Sequence, residues 1–186
     1  AQQICAFEQF MLKTKPQGCI LYCADNEILR NLAQKITNRR LISFGLRTPA
    51  DYYAGNIVFH GLSSEFDCMY RGVFVARFTL ALGGMHNISN ALSVIALARE
   101  LSIDLSKVAH ALNTYQGARR RLDVKCENDS LMVIDDYAHH PTEIQATLAA
   151  IKTLARKRII AVFQPHRYSR TLSLMDELSV CFNDAD

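Results

Sequence analysis

Two polar segments near the end of the chain hold most of the residue types that could do chemistry. DDYAHHPTE covers residues 135–143, and QPHRYSRT covers residues 164–171. Each follows an apolar run that predicts a buried strand, LMVID at 131–135 and RIIAVF at 158–163. Because parallel strands end at the same edge of a sheet, we expect both segments to face one site.

The second segment places Arg167 and Arg170 one helical turn apart, next to His166. Arginines of this spacing can grip a carboxylate or a phosphate by paired N–H donors. A basic pair at a helix N-terminus works against the helix dipole, which favours an anionic ligand. The alternative is that both are solvated side chains at the start of a helix.

The first segment offers carboxylates and imidazoles. Asp135 and Asp136 could cap the following turn or coordinate Mg²⁺, and the sequence does not separate these readings. His139 and His140 precede Pro141, so they suit either proton or metal chemistry or a capped helix start.

Two earlier motifs also hold polar residues. HNISNA places Asn87 and Asn90 one helical turn apart, and taken alone it indicates that Asn87 caps the helix and that Asn90 faces solvent. Three arginines, 119–121, follow Gly117. They are either a solvated linker or a source of positive charge for a transferring phosphate at a hinge.

The elements that must position these residues are those of an α/β fold. A strand at 19–24, a helix that Asp25 or Asn26 can cap, and a strand at 41–45 form a parallel βαβ unit. Residues 52–82 then predict antiparallel strands with a turn at Arg71 and Gly72.

Helices come next along the chain, and then a second α/β pattern. We predict helices over 88–101 and from about 104–106 to Tyr115, a hinge at Gly117, and a domain boundary there. Beyond the hinge we predict helices from Pro141 to about Ala155 and from about Ser169 to Phe182. Apolar residues at 4, 7 and 11 suit a helix already under way at residue 1.

Composition narrows the class of protein. The chain has 186 residues, 49% of them hydrophobic and 21% charged, as in one large or two small globular domains. A net charge of +3 is too small to indicate a nucleic-acid partner, and no apolar run is long enough for a membrane span. Six cysteines are scattered without the spacing of a zinc site.

Four motifs, in their order and spacing, resemble the Mur ligase family. They are HNISNA (86–91), GARRRLD (117–123), DDYAHHPTEI (135–144) and VFQPHRYSRT (162–171). The last two resemble most the branch that adds L-alanine. The resemblance implies a partial central ATPase domain at 1–116, followed by the first part of a Rossmann-like C-terminal domain at 117–186.

The resemblance also implies a reaction and its partners. ATP, with Mg²⁺, activates the carboxylate of UDP-N-acetylmuramate to an acyl phosphate, which the amine of L-alanine attacks in peptidoglycan precursor synthesis in the cytoplasm. The chain has no G-x-x-x-x-G-K-[ST] motif, and the family's Mg²⁺ ligands would precede residue 1, so we expect no metal site here and no turnover by the fragment alone. The alternatives are a recycling ligase that adds a tripeptide and a non-catalytic remnant.

Site residues follow from the same resemblance. The implied ATP contacts are Asn87, Asn90, Arg120, Asp136 and Tyr137. Arg121 would reach the phosphates from the hinge, which closes over ATP, and His139 would lie near the reacting centre. The alanine carboxylate would be held by His166, Arg167 and Arg170.

Overall fold

The chain folds as alternating helices and strands with two separate sheets. The computed structural model describes residues 2–154 and 158–186. The first part contains α1 (Gln2–Leu12), β1 (Cys19–Cys23), α2 (Glu27–Lys35), β2 (Arg40–Gly45), β3 (Tyr52–His60), β4 (Ser63–Tyr70), β5 (Val73–Leu80), α3 (Met85–Glu100) and α4 (Leu105–Thr114). The second part contains β6 (Asp123–Glu127), β7 (Met132–Asp135), α5 (Pro141–Lys152), α6 (Tyr168–Ser173) and α7 (Met175–Val180).

The larger sheet is half parallel and half antiparallel, in the order β1-β2-β3-β4-β5. β1, β2 and β3 are parallel neighbours, whereas β4 pairs antiparallel with both β3 and β5. Arg71 and Gly72 form the last turn with φ angles of 50° and 84°, which suits a tight hairpin. The predicted βαβ unit and antiparallel segment are therefore confirmed.

The main core lies between this sheet and α3. Phe66 and Phe78 on the sheet and Ile88, Leu92 and Ile95 on the helix are all at most 1% exposed. The helical residues recur every three to four positions, which places them on one face of α3. This packing fixes the N-terminal turn of α3, where the asparagine motif lies.

Asp25 and Asn26, the two candidate caps of α2, have different roles. Asn26 is the cap, and its side-chain oxygen accepts a hydrogen bond from the Leu29 N–H at 3.0 Å. The Asp25 carboxylate instead accepts hydrogen bonds from the backbone N–H groups of residues 46–48 at 2.7–2.9 Å. It therefore ties the end of β1 to the loop after β2.

The predicted cap of α3 is wrong. Gly84 is the N-cap, with φ 94° and ψ 141°, and the helix begins at Met85. Asn87 lies within the first turn and donates from Nδ2 to the Gly83 carbonyl oxygen at 2.8 Å. The helix starts early because glycine can adopt a backbone conformation that other residues rarely reach.

The predicted strand at 158–163 is also wrong. β7 pairs antiparallel with β6, a strand that the apolar pattern did not predict, and the two form a sheet of their own. The backbone groups of Ile159 bond to Asp186 instead: its N–H donates to the Asp186 carboxylate at 2.7 Å, and its C=O accepts from the Asp186 N–H at 2.9 Å. The described residues therefore provide no parallel neighbour for β7.

The last predicted helix is broken in two. α6 and α7 meet at Leu174, whose φ of −121° interrupts the helical backbone. A small core joins this region to α5, where Ile144 and Leu148 are buried as predicted and Cys181 is 2% exposed. The predicted end of α5 at Ala155 lies outside the described residues.

The first helix is only partly packed. Met11 is buried, but Ile4 and Phe7 are 40% and 55% exposed, so the predicted apolar stripe of α1 is only partly buried. None of the helices in the described ranges is both long and apolar enough to cross a membrane.

Candidate functional site

A cavity of about 690 Å³ opens where α3, the segment after α4 and the first turns of α5 meet. Its volume is in the range of small-molecule binding sites. The apolar part of the wall comes from Leu80, Leu82, Ala91, Val94, Leu112, Leu122 and Ala146. The titratable or amide side chains that line it are His86, Asn87, Asn90, Tyr115, Arg121, Asp136 and Glu143.

Helix α3 places both predicted asparagines on this wall. Asn87 is held by its hydrogen bond to Gly83 and Asn90 is exposed one turn later. The side-chain oxygen of Asn87 accepts no hydrogen bond from the described residues. An amide donor and acceptor pair is therefore available to a ligand in the cavity.

Asp136 joins the segment after α4 to the loop after β7. One carboxylate oxygen accepts from the Leu122 N–H at 2.8 Å, and the other accepts from the Ala138 N–H at 2.7 Å. Of the two roles that the sequence allowed, the structure shows the turn cap. The carboxylate nevertheless lines the cavity, so it presents negative charge to a ligand.

Arg121 is the cation on the cavity wall. Both terminal nitrogens of its guanidinium lie 3.4 Å from the same Glu143 oxygen. The other Glu143 oxygen accepts from the backbone N–H groups of His139 and His140 at 3.1 and 3.2 Å. Burial opposes ionisation of Glu143, but these backbone donors and the nearby Arg121 charge hold the pKa of its carboxyl below the ordinary value.

Arg120 turns away from the cavity. Its guanidinium carbon lies 5.0 Å from the centroid of the Tyr137 ring, and its Nε lies 3.4 Å from an Asp135 oxygen. The Tyr137 N–H also donates to the Arg120 carbonyl oxygen at 2.7 Å. The His139 ring contacts this group edge-on, 5.0 Å from the Tyr137 ring, with Nδ1 2.8 Å from the Tyr137 carbonyl oxygen.

Three of the predicted site residues therefore meet outside the cavity. Arg120, Tyr137 and His139 form a cluster beside the segment after α4 and are not part of the cavity lining. His140 is the N-cap of α5, and its ring accepts from the Thr142 N–H at 3.3 Å, so it has the structural role that the sequence left open.

His166, Arg167 and Arg170 lie apart from the other predicted site residues. None of them lines the cavity, and His166 and Arg167 are exposed. No described residue forms a hydrogen bond or an ion pair with their side chains. The structure does not bring the two polar segments to one cavity, because residues 158–163 do not pair beside β7.

Three of the titratable or amide residues on the cavity wall were not identified from the sequence as site residues: His86, Tyr115 and Glu143. His86 precedes Asn87 on the same helical turn, so the motif itself could have indicated it. Burial, reinforced by the Arg121 charge and opposed by Asp136, lowers the pKa of its imidazole. Glu143 is three residues after His140, the spacing of a capping box, but histidine is not a usual member of that motif.

The cavity does not contain a ready metal site. Within residues 2–154 and 158–186, no group of three or more His, Cys, Asp and Glu side chains is arranged to hold a metal ion. Among the described residues, the polar wall is composed of amides, two carboxylates, an imidazole, a guanidinium and the hydroxyls of Tyr115, Thr142 and Thr147.

Comparisons with known proteins agree with this architecture. Residues 3–98 match the Mur ligase middle domain, and residues 120–186 match the domain described as Mur ligase, glutamate ligase domain. The chain is 42% identical to the UDP-N-acetylmuramate–L-alanine ligase of Desulforapulum autotrophicum over 97% of its own length and 40% of that protein. It is also 42% identical to the same-named ligase of Endomicrobium trichonymphae over 91% of its length and 38% of that protein.

Solved structures show the same fold. The crystal structure of UDP-N-acetylmuramate-alanine ligase from Thermotoga maritima matches with a TM-score of 0.77 and 27% identity, over 98% of this chain and 39% of that one. A murein peptide ligase from Psychrobacter arcticus matches with a TM-score of 0.68 and 25% identity, over 98% of this chain and 39% of that one. The chain thus spans about 40% of the length of the curated relatives it matches, and it belongs to the Mur ligase family.

Proposed function

We propose that this chain is part of the ATP-dependent ligase that joins L-alanine to UDP-N-acetylmuramate through an acyl phosphate, in peptidoglycan precursor synthesis in the cytoplasm. The cavity between α3 and α5 is the observation that carries the proposal, because it joins a motif of the middle-domain match to motifs of the second match. The names and 42% identity of the relatives support the substrates. We expect the chain alone to have no ligase activity.

The charges on the cavity wall favour the nucleoside part of ATP. Arg121 supplies one positive charge, Asp136 and Glu143 supply two negative charges, and His86 is neutral at pH 7 because its pKa is lowered. A wall with a net negative charge repels a triphosphate but accepts hydrogen bonds from ribose hydroxyls. The apolar residues suit a base, and Arg121 can meet the phosphates at the rim.

We therefore propose distinct roles for the cavity residues. Asn87 and Asn90 contact the nucleoside, and Asp136 accepts from the ribose. Arg121 stabilises negative charge on the phosphates. Arg120 and Tyr137 hold the hinge against the loop after β7 at the edge of the nucleotide site, which shapes its border. ATP, when bound, supplies the phosphoryl group that activates the muramoyl carboxylate.

We propose that the basic residues at the start of α6 hold the carboxylate of L-alanine. Arg167 and Arg170 have no side-chain partner among the described residues, so their donors are free for a carboxylate, and His166 lies beside them. His139 is proposed to lie near the reacting centre. We propose that the division of the chain is 1–116 and 117–186, and that closure at Gly117, whose φ is 85°, brings these groups to the nucleotide.

Mg²⁺ is proposed only as the companion of the ATP phosphates. The described residues provide no cluster of three ligands for it, and the roles proposed above are assigned to the side chains alone.

The test uses the full-length protein with ATP and UDP-N-acetylmuramate. ADP release should require L-alanine, and Arg121→Ala should lower kcat by about a hundredfold or more, as for loss of other donors to transition-state charge. Arg119→Ala, a substitution of a neighbouring exposed arginine, is the matched control and should stay near wild type. Near-normal activity of Arg121→Ala with a normal melting temperature would contradict the proposed role.

A recycling ligase is the second candidate, because the chain also matches a murein peptide ligase structure. The same assay separates the two: ADP release with the tripeptide L-alanyl-γ-D-glutamyl-diaminopimelate but not with L-alanine would replace the first proposal. A full-length protein that releases no ADP with either amine would instead be the non-catalytic remnant.

A further inference from the structure

The two carboxylate oxygens of Glu143 have different partners. Oε2 closes the capping box of α5 by accepting from the His139 and His140 backbone, and it lies 3.6 Å from the His139 ring nitrogen. Oε1 faces Arg121. The cap therefore fixes the carboxylate on the cavity wall whether or not Arg121 is near it.

The link to Arg121 is loose in comparison with the cap. Both guanidinium nitrogens reach a single oxygen at 3.4 Å, rather than pairing with two oxygens at hydrogen-bonding distances near about 2.8 Å. The two side chains are 47% and 34% exposed, so solvent screens their attraction. Such a pair holds Arg121 over the cavity but can be exchanged for a stronger anion.

We propose that Glu143 is a positioning residue that holds the Arg121 guanidinium at the cavity and competes with the anionic part of the nucleotide for it. This inference rests on the proposed function, since it concerns the same nucleotide site. Binding of the ligand then replaces the Arg121–Glu143 contact with an Arg121–phosphate contact. The carboxylate stays behind, because its two backbone donors do not move with Arg121.

The test is the affinity of the full-length protein for ADP and for adenosine, measured by calorimetry. Glu143→Gln keeps an oxygen that can accept from the two backbone N–H groups but removes the charge that faces Arg121. We expect it to lower the Kd of ADP about two- to fivefold, the range that exposed ion pairs produce. The Kd of adenosine, which has no phosphate, should stay unchanged.

Two further variants test whether Glu143 acts through Arg121 or through the cap of α5. In an Arg121→Gln background, Glu143→Gln should change the Kd of ADP less than in the wild-type protein, because only the direct repulsion between Glu143 and the phosphates then remains. His140→Ala removes the other half of the capping box and leaves the ion pair, so it should not tighten ADP binding.

Three results would overturn the inference. They are unchanged or weaker ADP binding by Glu143→Gln, an equal gain in the Arg121→Gln background, and an equal gain for adenosine. If the wild-type protein binds neither adenosine nor ADP, the proposed nucleotide site itself is wrong, and Glu143 has no competitor for Arg121. Binding of both ligands without an effect of Glu143→Gln refutes only the positioning role.

Discussion

Gly84→Ala should lower the free energy of unfolding more than the same substitution at other glycines of the described residues. Its φ of 94° and ψ of 141° lie in a region that is nearly exclusive to glycine, which costs an alanine about 1–3 kcal/mol. A Cβ there would also lie 2.9 Å from the His86 ring and 3.0 Å from the Ala150 methyl group. Overpacking of this kind costs about 1–3 kcal/mol more.

Two other glycines separate these contributions. Gly72 has φ 84°, but a Cβ there would meet no atom within 4 Å, so Gly72→Ala should lower the free energy of unfolding by only about 1–2 kcal/mol. Gly55 lies in a strand with open space and no positive φ, so Gly55→Ala should change it by less than about 1 kcal/mol. Gly84→Ala should lose about 2–6 kcal/mol.

Urea unfolding of the three variants, followed by circular dichroism, gives the comparison. The order Gly84→Ala, Gly72→Ala, Gly55→Ala from most to least destabilised is expected. If Gly84→Ala and Gly72→Ala lose the same free energy, α3 does not approach Ala150 of α5 in solution as it does here. The cavity formed between these helices would then also be in doubt.

Asp25 and Asp51 should both contribute to the stability of the larger sheet. Asp25→Asn weakens three backbone hydrogen bonds to a charged acceptor and should lower the free energy of unfolding by about 1–3 kcal/mol, whereas the exposed Asp129→Asn should change it by less than about 0.5 kcal/mol in the same urea titration. Burial opposes ionisation of Asp51, but donors from Ser43 and Arg71 hold its pKa below the ordinary value. Its contribution should therefore be complete above the unfolded pKa of about 3.9 and fall as pH drops through the lower folded pKa, so thermal melts from about pH 6 to about pH 2 should show a flatter profile for Asp51→Asn.

Much of the fold could be predicted because the signals are local. An apolar run followed by two candidate caps and a helical stripe identified β1 and α2, but the preference for asparagine and aspartate caps did not separate Asp25 from Asn26, and the structure shows that Asn26 is the cap. The same reasoning failed at Asn87, because a glycine three residues earlier allowed the helix to begin sooner. A cap depends on the backbone angles before it, which the side-chain pattern does not reveal.

Strand pairing is the part that local patterns could not supply. Residues 158–163 have the apolar composition of a strand, but a strand also needs a neighbour with free N–H and C=O groups. Here Ile159 bonds to Asp186, which is 27 residues away in the sequence. The predicted meeting of the two polar segments depended on this pairing, so it failed together with the strand.

The arginine run at 119–121 shows why the order of residues in a motif does not fix their roles. The sequence predicted Asn87, Asn90, Arg121 and Asp136 as site residues, and all four line one cavity. Arg120, the neighbour of Arg121, was also predicted but does not line this cavity. Its φ of 60° is in the left-handed region, as is the φ of 48° at residue 122. The positive φ angles at these two positions direct adjacent arginines to different partners. Arg120 contacts the Tyr137 ring, and Arg121 contacts the Glu143 carboxylate. A run of three arginines therefore identifies the segment, but only the backbone decides which of them faces the cavity.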